Sequence, residues 1–361
     1  MNILIVGADI TPPWSEGRKK LIHGVAARLN KIHTVQVITT SNRTINIVEP
    51  CPGHQKKTIF SYQKITKMHQ EVNKALSKRV PDVVLHFPFG TLHGLRRIAN
   101  VWSMKYIDKQ CARYGVRCLT ILYSITKGSR EELKRTVREL VVAPGAGWNG
   151  LTITMGTDMG DTNYIDSEHG GKPTVLFMAG LQAHKEKVLK HILLERGLED
   201  VVKASPMLAE AGVRVIVAIP LLSNSRLRNK LYRRFIKEYP QLDLDLRSSI
   251  SIPEIFKETD LYLFPYRKEL TQFIPTSVIE AMRAGRPVVL SDLDMFASLG
   301  NEGRTAYLFR RGDSRHLGEV VIKALSNPAD RREKACAARE FVTENWSLDK
   351  TVSDIMQILA S

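Results

Sequence analysis

The chain alternates short apolar runs with longer segments in which apolar residues recur every three or four positions. Asn2 to Gly7 is almost wholly apolar, the pattern of a strand buried on both faces. Leu21, Ile22, Val25, Ala26 and Leu29 follow at helical spacing over residues 18–30, and residues 34–40 predict a second strand. Strand, loop, helix, strand is the βαβ unit of a parallel sheet. A basic amphipathic helix comes next, with Ile65, Met68, Val72 and Leu76 as its inner face, ending before Pro81. Strands are then predicted over 82–87 and 117–125, separated by a helix over 91–115 that carries a break. A helix capped near Ser129 is predicted to run through Leu140, followed by short strands at 141–142 and 151–154.

Residues 141–171 are rich in Gly, Asp and Asn, a composition shift that marks a domain boundary. A second sheet-forming half follows. Its strands are predicted at 174–180, 213–219, 242–246, 260–265, 288–290 and 306–309. Gly312-Asp313 caps a helix over 314–325, Pro328 opens another, and a last helix runs to Leu359. The expected organisation is an α/β chain with one Rossmann-like domain over 1–165, a second over 166–340 and a terminal helical segment over 341–361. Ligands of such sheets gather at the carboxyl ends of the strands. The loop from Pro12 to Gly17 is therefore expected to face a cleft.

Composition narrows the class. At 361 residues, 43% hydrophobic and 25% charged, the chain suits two soluble domains. The longest apolar run, 215–222, is too short to span a bilayer. Cys51, Cys111, Cys118 and Cys336 are scattered without metal-ligand spacing, as expected of reduced thiols. The first residues lack the basic segment of a signal peptide, so the expectation is a cytoplasmic protein. Residues 1–165 hold 24 Lys and Arg against 11 Asp and Glu, while the rest holds 29 against 26. That asymmetry points the first half at something anionic: a phospholipid surface at the inner membrane face, a phosphorylated acceptor or a nucleic acid. Against nucleic acid, no basic stretch is interleaved with aromatics.

The richest chemistry lies in Pro275-Thr276-Ser277-Val278-Ile279-Glu280-Ala281-Met282, with Gly285 and Pro287 behind it and the strand Val288-Val289-Leu290 beyond. Thr276 or Ser277 can cap a helix here, with Glu280 at the capping-box position three residues after Ser277. Free N–H groups at such a helix start suit a phosphate, and a carboxylate one turn further in can accept hydrogen bonds from a ribose. A capped helix with no ligand is the other reading.

The same stretch resembles the donor-site signature of retaining GT-B glycosyltransferases of family 4 (glycosyl transferases group 1), nearly letter for letter from Pro275 to Val289. Further matches, in order, are Ala179-Gly180 with Lys185, Leu263-Phe264-Pro265, and Trp346-Ser347. The turn at Gly156-Thr157-Asp158 resembles the opening of the interdomain link. The resemblance implies a GT-B fold, two Rossmann-like domains facing a cleft with the C-terminal helix crossing back to the first. It implies metal-independent transfer of a sugar from a nucleotide-sugar donor to a hydroxyl acceptor, with retention of configuration and no cofactor. Gly17, Gly180, Lys185, Thr276, Ser277, Val278 and Glu280 are implied as donor-binding, and Gln272 and Lys185 as catalytic. Glu16, Arg18, His86 and Tyr123 are the acceptor-side candidates.

Two departures keep alternatives open. Gln272 stands where the family has the first acid of its pair, and a neutral amide cannot stabilise a forming oxocarbenium ion electrostatically. Gly180 stands where the family has a diphosphate-binding arginine. These changes suit a degenerate GT-B protein acting as a binding or partner subunit, and the basic first half leaves a nucleic-acid-modifying transferase as a third reading.

Overall fold

The computed structural model describes residues 1–7, 17–40, 62–88, 94–122, 130–142, 150–157, 163–165, 171–179, 186–237, 240–248, 251–268, 274–300 and 303–361. The chain divides into two units. One comprises Met1–Asp158 with Asn345–Ser361, and the other Met159–Leu270 with Ile274–Glu344.

The first unit is built from β1 (Asn2–Gly7), α1 (Gly17–Leu29), β2 (Thr34–Thr39), α2 (Tyr62–Lys78), β3 (Val83–Phe87), α3 (Gly94–Arg113), β4 (Arg117–Leu122), α4 (Arg130–Lys134) and β5 (Glu139–Val142). The strands form a parallel sheet in the order β2-β1-β3-β4-β5. The inner face expected for α2 is the one observed, with Ile65, Met68, Val72 and Leu76 all buried against β1 and β3 residues. α3 runs unbroken over 20 residues, without the expected interruption. The helix expected through Leu140 ends instead at Lys134. Residues 139–142 pair with β4, and Arg117 on β4 bonds the Glu139 carboxylate at 2.8 Å. Sheet pairing overrides the local helical pattern there. Residues 151–154 are not a full strand either: only Thr152 bridges to Val142.

The C-terminal α13 (Leu348–Ala360) belongs to this unit, as expected of a helix that crosses back. Leu348, Ile355 and Ile358 enter the core shared by α1 and β1. Gly24 of α1 leaves the room that Leu348 fills, since a Cβ there would lie 2.3 Å from the leucine Cδ1. The segment at Gly156-Thr157 is tied to the start of α13: Gly156 N donates to Thr351 Oγ1 at 2.9 Å and Thr157 N to the Trp346 carbonyl at 3.1 Å.

The second unit contains β6 (Thr174–Met178), α5 (Glu186–Leu194), α6 (Leu198–Glu210), β7 (Arg214–Ala218), α7 (Ser225–Ile236), β8 (Asp243–Arg247), α8 (Ile252–Lys257), β9 (Leu261–Phe264), α9 (Thr276–Arg283), β10 (Val288–Ser291), α10 (Asp294–Gly300), β11 (Tyr307–Phe309), α11 (Ser314–Leu325) and α12 (Pro328–Asn345). Its sheet is parallel in the order β11-β10-β9-β6-β7-β8, the doubly wound arrangement. The strand order reverses between β6 and β9, so the carboxyl ends of those two strands form the switch point where a ligand is expected. Asp313 caps α11 as predicted, accepting from His316 N at 2.9 Å. Among the described residues no helix is long and apolar enough to cross a membrane.

Candidate functional site

At the switch point of the second unit, β9 delivers Tyr262, Phe264, Pro265, Tyr266 and Arg267, and α9 begins eleven residues beyond Pro265, at Thr276. The segment after β9 is pinned from several sides. Ser291 Oγ donates to the Tyr266 carbonyl at 2.6 Å, and Arg267 N donates to the Glu195 carbonyl at 2.9 Å. The Arg267 guanidinium also grips Asp200, a wholly buried carboxylate in the first turn of α6, with Nε at 2.8 Å from Oδ2. A buried charge held this way is costly to unpair, so Arg267 is fixed and anchors α6.

Gly197 makes this junction sterically feasible. It is left-handed, with φ 72°, and a Cβ there would sit 1.6 Å from the Pro265 carbonyl oxygen. Only glycine tolerates both the dihedral and the approach. The residue before it, Arg196, lies in the short link between α5 and α6. Its Nη1 donates to the Tyr266 hydroxyl at 2.6 Å, and its guanidinium carbon is 5.3 Å from the Tyr266 ring centre. Its Nε is buried and has no hydrogen-bond partner among the described residues. Tyr262 is fully buried beside it, and its hydroxyl likewise reaches no partner at hydrogen-bond geometry among those residues. Burial pushes the Tyr262 phenol up, with the Ser277 side chain working against that rise, Tyr266 and Glu280 adding to it, and Arg196 opposing it. Arg196, Tyr262, Tyr266, Ser277 and Glu280 thus form one polar cluster under the front of α9.

The helix itself differs from the expected capping box. Pro275 is the N-cap, with φ −60° and ψ 131°, and no side chain caps the helix. Thr276 and Ser277 are the first and second helical residues, and Glu280 lies deeper, facing the interior at 3% exposure. Proline's fixed φ suits the bend into the helix, which moves the cap one residue ahead of the threonine. The Val278 amide donates to the Pro275 carbonyl at 3.0 Å, so it is engaged within the turn. Thr276 and Ser277, both half-buried, are the first two residues of α9, whose amides have no carbonyl partner within an α-helix. Glu280 has interactions of its own in the interior, and a carboxylate has acceptor sites for about four hydrogen bonds.

Of the other residues expected at the site, Gln272, Gly180, Lys185, Glu16 and Tyr123 lie outside the described residues. Gly17 opens α1 and Arg18 follows it. His86 is not at an accessible strand tip. It sits within β3, 1% exposed, in register with Val6 and Thr120. Burial, and secondarily the charge of His69, pull its pKa down to about 3, so it is a neutral core histidine. Arg196 is the residue sequence reasoning missed. Its cue, an arginine directly before a helix-opening glycine, is visible in Arg196-Gly197-Leu198 but gains meaning only beside Tyr266.

Residues 172–327 match the family model of glycosyl transferases group 1. An 82-residue stretch is 37% identical to the phosphatidyl-myo-inositol mannosyltransferase of Mycobacterium leprae, and it covers 22% of this chain and 21% of that protein. The whole chain resembles several solved structures. A sucrose-phosphate synthase from Thermosynechococcus elongatus superposes with a TM-score of 0.69 at 13% identity, covering 100% of this chain and 98% of that one. A glycosyltransferase from Rickettsia africae gives 0.67 at 14% identity, covering 99% and 97%. Anabaena HepE, solved with UDP-glucose, gives 0.64 at 14% identity, covering 100% and 99%. The chain therefore has the GT-B fold, two Rossmann-like halves, and its residues 172–327 match the glycosyl transferases group 1 family.

Proposed function

We propose that the protein is a glycosyltransferase that moves a sugar from a nucleotide-sugar donor to a hydroxyl acceptor, retaining the anomeric configuration and needing no metal. One observation carries this reading: Arg196, bonded to Tyr266 just past β9, and Glu280, buried one turn inside α9, both act on the buried Tyr262 phenol at the sheet's switch point. A guanidinium held by Tyr266, with one buried N–H that no described residue accepts, suits an anion that arrives with a ligand. The match over 172–327 and the UDP-glucose bound by the Anabaena neighbour support a nucleotide sugar as that ligand.

In this reading the diphosphate rests against the Thr276 and Ser277 amides. Arg196 supplies the cation missing at Gly180, and Lys185 adds a second. Glu280 accepts from the ribose hydroxyls, and Gln272 bonds a hydroxyl of the sugar. The bond between the sugar C1 and the phosphate oxygen breaks while the acceptor oxygen bonds C1 on the same face. The departing phosphate oxygen takes the acceptor's proton, and the surrounding positive groups stabilise its charge. Gly17, Glu16, Arg18 and Tyr123 are assigned to the sugar and acceptor side. The excess of basic residues over 1–165 favours an anionic acceptor, and the mycobacterial relative's name gives a lipid headgroup.

The test is transfer from a panel of nucleotide sugars by the purified chain, with the product anomer read by NMR. Retained configuration in metal-free buffer is expected, with a loss of about 100-fold in Glu280→Ala, the scale of charge-assisted hydrogen bonds. No donor cleavage by the chain alone would favour the partner-subunit reading that Gln272 motivates.

A further inference from the structure

We propose that the first unit docks on an anionic lipid bilayer through the outward face of α2 and α3. The inference rests on the surface of that unit and not on the transferase reading. α2 and α3 run side by side in the same direction, with His69 against Trp102 and Asn73 bonded to the Tyr106 hydroxyl at 2.5 Å. The solvent stripe of α3 reads Ile98, Trp102, Lys105, Lys109, spaced to lie on one face. Ile98 is 67% exposed and Trp102 37%. On the neighbouring helix Lys67, Lys74 and Lys78 are exposed.

The charge is one-sided. α2 carries four lysines and α3 five Lys and Arg, against Glu71 on the first and Asp108 on the second. Asp108 is largely buried and already paired, accepting from Arg138 Nε at 3.2 Å. The tryptophan is held in place by its neighbours: the His69 ring centre lies 4.7 Å from it, and His69 stacks on Tyr106 at 4.1 Å and bonds Ser103 at 2.9 Å. A buried polar and aromatic support thus presents an aliphatic and an indole side chain outward, with lysines beside them. Tryptophan and isoleucine suit the boundary between headgroups and acyl chains, and the lysines suit anionic headgroups. A nucleic acid would use the lysines but has no use for an outward Ile98, and single-strand binding calls for successive stacking aromatics that this stripe lacks.

The test uses the full chain with sucrose-loaded vesicles of phosphatidylcholine alone and of phosphatidylcholine mixed with phosphatidylserine. Sedimentation with the mixed vesicles only is expected, falling as salt is raised, with a blue shift of tryptophan emission that Trp102→Phe removes. Ile98→Ser with Trp102→Ser, and separately Lys105→Glu with Lys109→Glu, are each expected to cut vesicle binding tenfold or more. Both pairs lie on the surface, so unchanged circular dichroism is expected, and the charge pair serves alone if the apolar pair fails to fold. Wild-type binding by the variants, equal binding to neutral vesicles, or no binding at all would overturn the proposal. So would duplex or single-stranded DNA binding with vesicles unbound. Since sedimentation needs no turnover, its result is separable from that of the transfer assay.

Discussion

In the proposed reading Arg196 and Glu280 divide the work of holding a nucleotide. Arg196→Ala is expected to weaken donor or nucleoside-diphosphate affinity by about 10- to 100-fold, the scale of a charge-assisted hydrogen bond. Isothermal titration would read it. The thermal midpoint is expected to fall as well, because the variant loses the 2.6 Å bond to Tyr266 and leaves that buried hydroxyl without its donor. Tyr266→Phe is expected to act in the same direction more weakly, since it removes the 2.6 Å bond that aims Arg196. Gln272 invites the opposite experiment: Gln272→Glu is expected to raise the rate of donor cleavage at saturating donor, by about tenfold, by placing a negative charge near the forming oxocarbenium ion. A slower variant would show that the amide is the better partner for this sugar. The helix opening at Thr276 is legible in the sequence because helix-start chemistry is local, although its cap is Pro275 and not the expected Thr276 or Ser277. The contact of Arg196 with Tyr266 is not legible, because the two lie 70 positions apart.

At the scale of elements, two glycines join segments that local patterns cannot bring together. Gly197 lets α6 abut the Pro265 carbonyl, and Gly156 passes beside Ser347, where a Cβ would fall 2.0 Å from the carbonyl oxygen. Gly156→Ala is expected to destabilise the protein by about 1–3 kcal/mol through overpacking against backbone, read by urea unfolding. Gly197→Ala adds a left-handed dihedral to its clash and is expected to lose at least as much, together with donor affinity, because it shifts Arg196. The strand and helix alternation was legible because buried parallel strands are apolar runs. The misses have separate causes. β5 is fixed by pairing with β4, the α9 cap by proline geometry, and α7, to which the sequence reading gave no helix, hides just Leu227, Leu231 and Phe235 along a strongly basic segment.

Across the molecule, buried histidines tie stability to pH. Burial holds His69 at about 4, and burial with the His69 charge holds His86 at about 3, both below the ordinary 6.5. A depressed histidine pKa means that the unfolded chain binds the proton first. The stabilising effect is complete above pH 6.5 and is lost as pH falls towards 4 and then 3. Each group contributes about 1.4 kcal/mol per pH unit over that range. Urea midpoints measured from pH 7.5 to 5 are expected to fall, and His86→Leu is expected to flatten the slope. In the second unit, Asp245 is held below its ordinary range although burial opposes this, because Arg247 and Arg214 bond it at 2.8 and 2.7 Å. That carboxylate adds stability above pH 3.8 that further acid removes.

The most direct measurement of the central claim is a crystal structure of the chain with a nucleotide sugar bound. The account predicts phosphate oxygens at about 2.7–3.2 Å from the Thr276 and Ser277 amides and from Arg196, with ribose hydroxyls on Glu280. A nucleotide bound at another place, or phosphates that leave Arg196 bonded to Tyr266 alone, would contradict it.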